Sequence, residues 1–136
     1  QGANSGNIDS IVAIGGIYKD EGSIEQALYC FKLAAEADNL DGIIGYAGLL
    51  EETGGDIEEL MQMYRKAAGL GSADAAEALG RIYEDKNSPE YSPDIAVFWY
   101  RQAVSLGKQS AEAEAARLEK DTEKDIDVEI EYDDDI

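Results

Sequence analysis

The sequence holds 136 residues, 44% of them hydrophobic, with 30 acidic against 11 basic side chains, no histidine and a formal net charge of −19. A field of that sign repels nucleic acid and anionic lipid, no basic stripe offsets it, and a basic protein or peptide is the partner class it attracts. The missing histidine excludes His-based triads and metalloprotease motifs, and the single cysteine, Cys30, excludes an internal disulfide and thiolate metal clusters.

Residues 1–7 read as a polar, flexible segment, the start of a processed or excised chain. No signal peptide is visible, and no window of about 18 apolar residues suits a membrane span. One cysteine favours an intracellular, reducing compartment, with secretion after removal of a leader as the alternative.

Residues 8–38 form the first predicted unit. Ile11, Ile14, Ile17 and Tyr18 recur at helical spacing, and Asp20-Glu21-Gly22 breaks the helix. Ser23 is placed to cap a second helix, with Gln26 in capping-box position, and Ala27, Leu28, Phe31 and Ala34-Ala35 form its stripe. Cys30 falls within this pattern as a core thiol. The unit at 40–70 turns at Thr53-Gly54-Gly55 and restarts on Asp56, with Ile57, Leu60, Met61, Tyr64 and Ala68 as its apolar face. Gly69-Leu70-Gly71 ends it, as glycine does where φ turns positive.

The unit at 72–106 starts on Ser72 and carries Ala75, Ala76, Leu79, Ile82 and Tyr83. Ser92-Pro93 then places proline at the first helical position, where its missing N–H costs nothing. Ile95, Ala96, Trp99, Tyr100, Ala103 and Leu106 follow as the stripe. A capping helix over about 109–124 shows Ala111, Ala115, Ala116 and Leu118. The tail, 125–136, has seven acids among twelve residues and no base. Its alternation places Ile126, Val128, Ile130 and Tyr132 on one face of an extended segment.

Aligned with itself, the chain matches Tyr18 to Leu50 at 32 residues and Leu50 to Tyr83 at 33. Ala34, Ala67 and Ala103 keep step at 33 and 36, the longer step holding an insertion around 86–91. A lone helical pair cannot bury its stripe, whereas stacked pairs share a core. The expected fold is therefore all-α: an α-solenoid of about three helix–turn–helix repeats, a C-terminal capping helix and an acidic tail that is extended or disordered.

Leu79-Gly80-x-Ile82-Tyr83, then Asp94-Ile95-Ala96-x-x-Trp99-Tyr100-Arg101-x-Ala103, Gly107 and Ala111 resemble the Sel1-like repeat, a relative of the tetratricopeptide repeat. Met63-Tyr64-Arg65-Lys66-Ala67-Ala68-x-x-Gly71-x-x-x-Ala75 matches in the second unit, and Gly15-x-Ile17-Tyr18-x-x-x-Gly22 with Ala34-Ala35 in the first. The first unit departs where Asp38 replaces the glycine and Gly42 the alanine. The resemblance spans about residues 8 to 118. It implies an adaptor or scaffold gripping partners on a curved surface, and supplies neither catalytic residues nor a cofactor.

The residues agree with a non-enzyme. No phosphate loop is present, Gly15-Gly16 follows no strand, and acid pairs such as Glu51-Glu52 read as solvated helix faces. Asp125, Asp127 and Glu129 open like a calcium loop, but Ile130 and Ile136 stand where glycine and glutamate are required.

Two binding surfaces remain. On the inner surface of the leading helices, Gly16, Gly48 and Arg81 match, as do Val12, Ile44 and Glu77. Tyr46, Glu77 and Arg81 are its candidate contacts, while Val12 and Ile44 read better as core. The tail offers Ile126, Val128, Ile130 and Tyr132 for strand addition to a partner's sheet; a solvated tail, folding back, or docking into a second copy are the alternatives. Left uncovered, Ile8, Ile11 and Val12 would promote a homodimer through the first unit.

Overall fold

The computed structural model describes residues 5–134, with side chains for 6–123. The helices in chain order are α1 (Ser5–Asp20), α2 (Ile24–Glu36), α3 (Leu40–Thr53), α4 (Ile57–Gly69), α5 (Ala73–Glu84), α6 (Pro93–Ser105) and α7 (Ala111–Asp134). Among the described residues there is no strand. The all-α class and the pairing of helices into repeats are therefore as the periodicity implies. The chain divides into two units, Gln1–Leu70 with α1–α4 and Gly71–Ile136 with α5–α7.

Local chemistry sets most of the helix boundaries. Side chains of Asn39, Asp56, Ser72 and Ser92 accept hydrogen bonds from Gly42, Glu59, Ala75 and Ile95 N–H, at 2.9, 3.0, 3.1 and 3.4 Å. Each satisfies a backbone donor that the helix itself leaves open. Ser23 makes no such bond. Its ψ of 72° falls short of the 101–126° found at the other four N-caps, so its hydroxyl is not aimed at the first turn and the expected capping box does not form.

Gly22, Gly54, Gly71 and Gly107 follow helices with positive φ. Asp38 stands at the position matching Gly71 and Gly107 and also takes a left-handed conformation, φ 60°. Aspartate tolerates that region better than most residues with a Cβ. Its carboxylate is held by Lys66 Nζ at 2.6 Å, and the same ammonium donates to Ala35 O at 3.1 Å.

In the first unit, α1 packs on α2, α2 on α3 and α3 on α4. The Phe31 ring of α2 lies between two glycines: a Cβ built on Gly15 of α1 would meet it at 3.1 Å, and one on Gly45 of α3 at 2.7 Å. A Cβ on Gly42 would meet Ala34 Cβ at 2.4 Å and its carbonyl carbon at 3.0 Å. Glycine is what lets α3 approach α2 this closely. Cys30 is half-buried beside the same contact, with its Cβ 3.1 Å from the position of a Cβ on Gly15.

In the second unit α5 packs on α6 and α6 on α7. Gly80 repeats the role of Gly15, since a Cβ there would meet the Tyr100 ring at 2.8 Å. Ala111, Ala115 and Leu118 of α7 are buried. At Glu112 and Glu119, which match core positions of the earlier hairpins, α7 is charged instead, and Arg101 of α6 donates to both. These charges give α7 a polar outer face.

Several apolar positions do not lie where the stripes place them. Ile14 and Ile17 are 46% and 56% exposed, and Ile8 and Gly15 occupy the buried face of α1 in their stead. Ile8 is thus covered, while Ile11 and Val12 are half-buried. Ile95, Leu106 and Ala116 are exposed, and Trp99 is half-buried, edge-on to Phe98 with ring centroids 5.1 Å apart. The segment read as an extended tail is helical in backbone as far as Asp134, continuous with α7. Alternation of period two competes there with a helix already under way, and propagating a formed helix costs less than starting a new element. The side chains of Ile126, Val128, Ile130 and Tyr132 lie outside the described residues, as do residues 1–4.

Candidate functional site

The second unit holds an open cleft of about 830 Å³ bounded by α5, the 85–92 connection, the start of α6 and α7. Cavities of several hundred cubic ångströms are the usual size for ligand recognition. Five carboxylates (Glu77, Glu84, Asp85, Glu114, Asp121) and three cations (Arg81, Lys86, Arg117) line it. Tyr91, Pro93, Tyr100 and Leu118 supply its apolar surface. The insertion that lengthens the last repeat step contributes Lys86 and Tyr91, and the latter ring is 43% exposed.

The polar wall is ordered by a chain of bonds. Tyr100 donates its hydroxyl to Glu84 Oε1. Arg117 Nη2 donates to Glu84 Oε2 and to Glu114 Oε1, both at 2.8 Å. Both oxygens of Glu84 are therefore engaged, one from α6 and one from α7. Arg81 Nη1 donates to Glu77 Oε1 at 3.1 Å, and Lys108 Nζ reaches the same oxygen at 3.0 Å and also bonds Asp74.

Electrostatic shifts follow from these bonds. Burial, then the hydrogen bond to Glu84 and its charge, push the Tyr100 hydroxyl well above the ordinary tyrosine range. Hydrogen bonds to Glu114 and Glu84 hold Arg117 even more firmly protonated than usual. Those to Asp74 and Glu77 do the same for Lys108. Among the described residues no group of three or more potential ligands is placed to hold a metal ion.

Of the candidate contacts, Glu77 and Arg81 lie together on α5 and line this cleft. Tyr46 belongs to the first unit, where it is 6% exposed and donates its hydroxyl to Glu59 Oε2 at 2.7 Å. Burial, that bond, and the charges of Glu59 and Glu36 push its hydroxyl up to about 12. Gly16 and Gly48 face open space, with nothing within 4 Å of a Cβ built on either. Arg117, Glu84 and Tyr91 were not singled out from the sequence. A signal existed for the first: the 36-residue step from Gly71 to Gly107 carries Arg81 onto Arg117, so the two guanidiniums occupy matched positions on successive leading helices.

No protein-family model matches the sequence, and no curated protein matches it. Among solved structures, the crystal structure of a Sel1 repeat protein from Oxalobacter formigenes is similar, with a TM-score of 0.63 at 26% identity. The match takes in 79% of this chain and 47% of that one, so this chain spans under half the length of its neighbour.

Proposed function

The chain has the fold of Sel1-like repeat proteins, and from that premise we propose that it is a protein-interaction module whose second-unit cleft takes a basic segment of a partner protein. The observation that carries this reading is the cleft itself, with carboxylates outnumbering cations along a wall that also presents Tyr91, Pro93 and Leu118. A lysine or arginine side chain offers a charge to the carboxylates and an aliphatic stem to the rings and leucine. The arginines at 81 and 117 are tied down by their own acids, which leaves the acidic excess to select the partner. The net charge of −19 works in the same direction at longer range, speeding encounter more than strengthening the bound state. The module acts by binding and not by catalysis, and recruits no nucleic acid.

A screen of short peptides of graded charge against the full chain tests this. Basic peptides bind, affinity falls as salt rises, and Asp121→Lys or Tyr91→Ala weakens binding about tenfold, the size of one lost contact of roughly 1.4 kcal/mol. Selection of acidic or neutral peptides, or binding that both variants retain, would overturn the assignment.

A further inference from the structure

Of the eight charged side chains that line the second-unit cleft, five are tied to one another: Glu77 to Arg81, and Glu84 and Glu114 to Arg117. Charges paired at contact distance largely cancel at any longer range, so these five offer a partner little. Three remain: Asp85, Lys86 and Asp121. All three are exposed, and none has an ion-pair partner among the described residues.

Two of the three are set by the backbone of the insertion. Ser88 N–H donates to Asp85 O at 3.0 Å, closing a tight turn with Lys86 in its second position. Asp85 Oδ1 accepts from Asn87 N–H at 2.9 Å, the side-chain bond that aspartate makes at the first position of such a turn. Asp85 itself is extended, with φ −73° and ψ 112°, so Lys86 diverges from the acid beside it in the chain. Asp121 stands across the cleft on α7.

Resting on the reading of this cleft as a site for a basic segment, we infer that the segment it selects carries two cationic side chains and one carboxylate. The cations match Asp85 and Asp121, and the carboxylate matches Lys86. Long-range attraction and local matching make opposite demands here. A net charge of −19 favours the most positive ligand. Lys86 disfavours a segment that is basic throughout, because its ammonium then faces a like charge. At about 0.15 M salt the field of the whole chain fades beyond about 8 Å, and the contacts inside the cleft decide.

Two series of short peptides separate these demands. All are acetylated and amidated, so that the ends carry no charge, and all hold two arginines, whose flat guanidiniums suit the exposed Tyr91 ring. One series adds a glutamate moved one position at a time, and the other a glutamine at the same positions. Titrated into the full chain at about 0.15 M salt, the less basic glutamate peptide binds about three- to fivefold tighter than its glutamine counterpart in at least one position, the worth of one exposed ion pair. Lys86→Gln removes that preference and Lys86→Glu reverses it, while circular dichroism stays as in the parent chain because Lys86 is exposed. Asp121→Asn weakens both series alike. Glutamine peptides that bind at least as tightly at every position, or a preference that Lys86→Gln leaves intact, overturn the inference. If Asp121→Asn still weakens binding in that case, the cleft keeps its basic partner and only the charge pattern falls. If neither series binds, both readings fall.

Discussion

Tyr64 donates its hydroxyl to Glu51 Oε1 at 2.6 Å, and Tyr100 and Glu84 form the same bond at matched positions in the next hairpin. In the first hairpin the two positions hold Phe31 and Lys19, so the pair is absent there as a unit, hydroxyl and acid together. Lys19 turns instead to Glu52 at 3.7 Å. The bond ties the second helix of a hairpin to the end of its first.

Replacing Tyr64 by Phe keeps the packing, as Phe31 shows, and removes one hydrogen bond to a carboxylate that water can re-solvate. The expected loss is about 1 kcal/mol in chemical denaturation. Glu51→Ala should cost a similar amount, and the double variant little more than either alone, because the two changes remove one shared interaction. Additive losses would show that the pair is not coupled.

Glycines in the leading helices separate into two kinds. Gly42→Ala and Gly80→Ala drive a Cβ into Ala34 and into the Tyr100 ring, and overpacking of this sort costs about 1–3 kcal/mol. Gly16→Ala and Gly48→Ala place a methyl in open space within a helix and should stabilise by roughly 0.5–1 kcal/mol each. Opposite signs of the shift in Tm between the two pairs are the result that checks the close approach.

Alkaline titration reads the buried hydroxyls. Tyr46 ionises at about 12 in the folded chain against an ordinary 10.0. Below pH 10 both folded and unfolded chains carry the neutral phenol, and its contribution to stability is complete. Between pH 10 and 12 the unfolded chain loses its proton first, so stability falls as pH rises through that window. Tyr100, raised for the same reason, adds to the decline. Denaturant midpoints measured from pH 9 upward should fall more gently for Tyr46→Phe than for the parent chain, and an identical slope would place the Tyr46 hydroxyl in water.

Much of this was legible in the sequence. The repeat step found the hairpins, and Asp56, Ser72 and Ser92-Pro93 marked three helix starts correctly. Where glycine gives way to Asp38, the same left-handed turn persists, so the departure was conservative in backbone terms. Periodicity failed on α1 because every third or fourth residue there is apolar on two faces, and nothing in a single helix says which face is covered. It failed at the C-terminus because acids alternating with Ile and Val suit a strand while the residues before them are committed to a helix. The cleft was half legible: Glu77 and Arg81 came from matched positions, but Arg117 needed the alignment carried into a helix read only as a cap. Tyr91 lies in the insertion, which has no counterpart in the other units.

The Phe31 ring, held between Gly15 and Gly45, gives three helices a common anchor. α2 cannot swing away from α1 without leaving a void at Gly15, nor α3 from α2 without exposing the ring at Gly45. Slow amide exchange across these helices should therefore report a single concerted opening, so that the hinges of this unit, if it bends at all in use, lie after α3 and not within the trio.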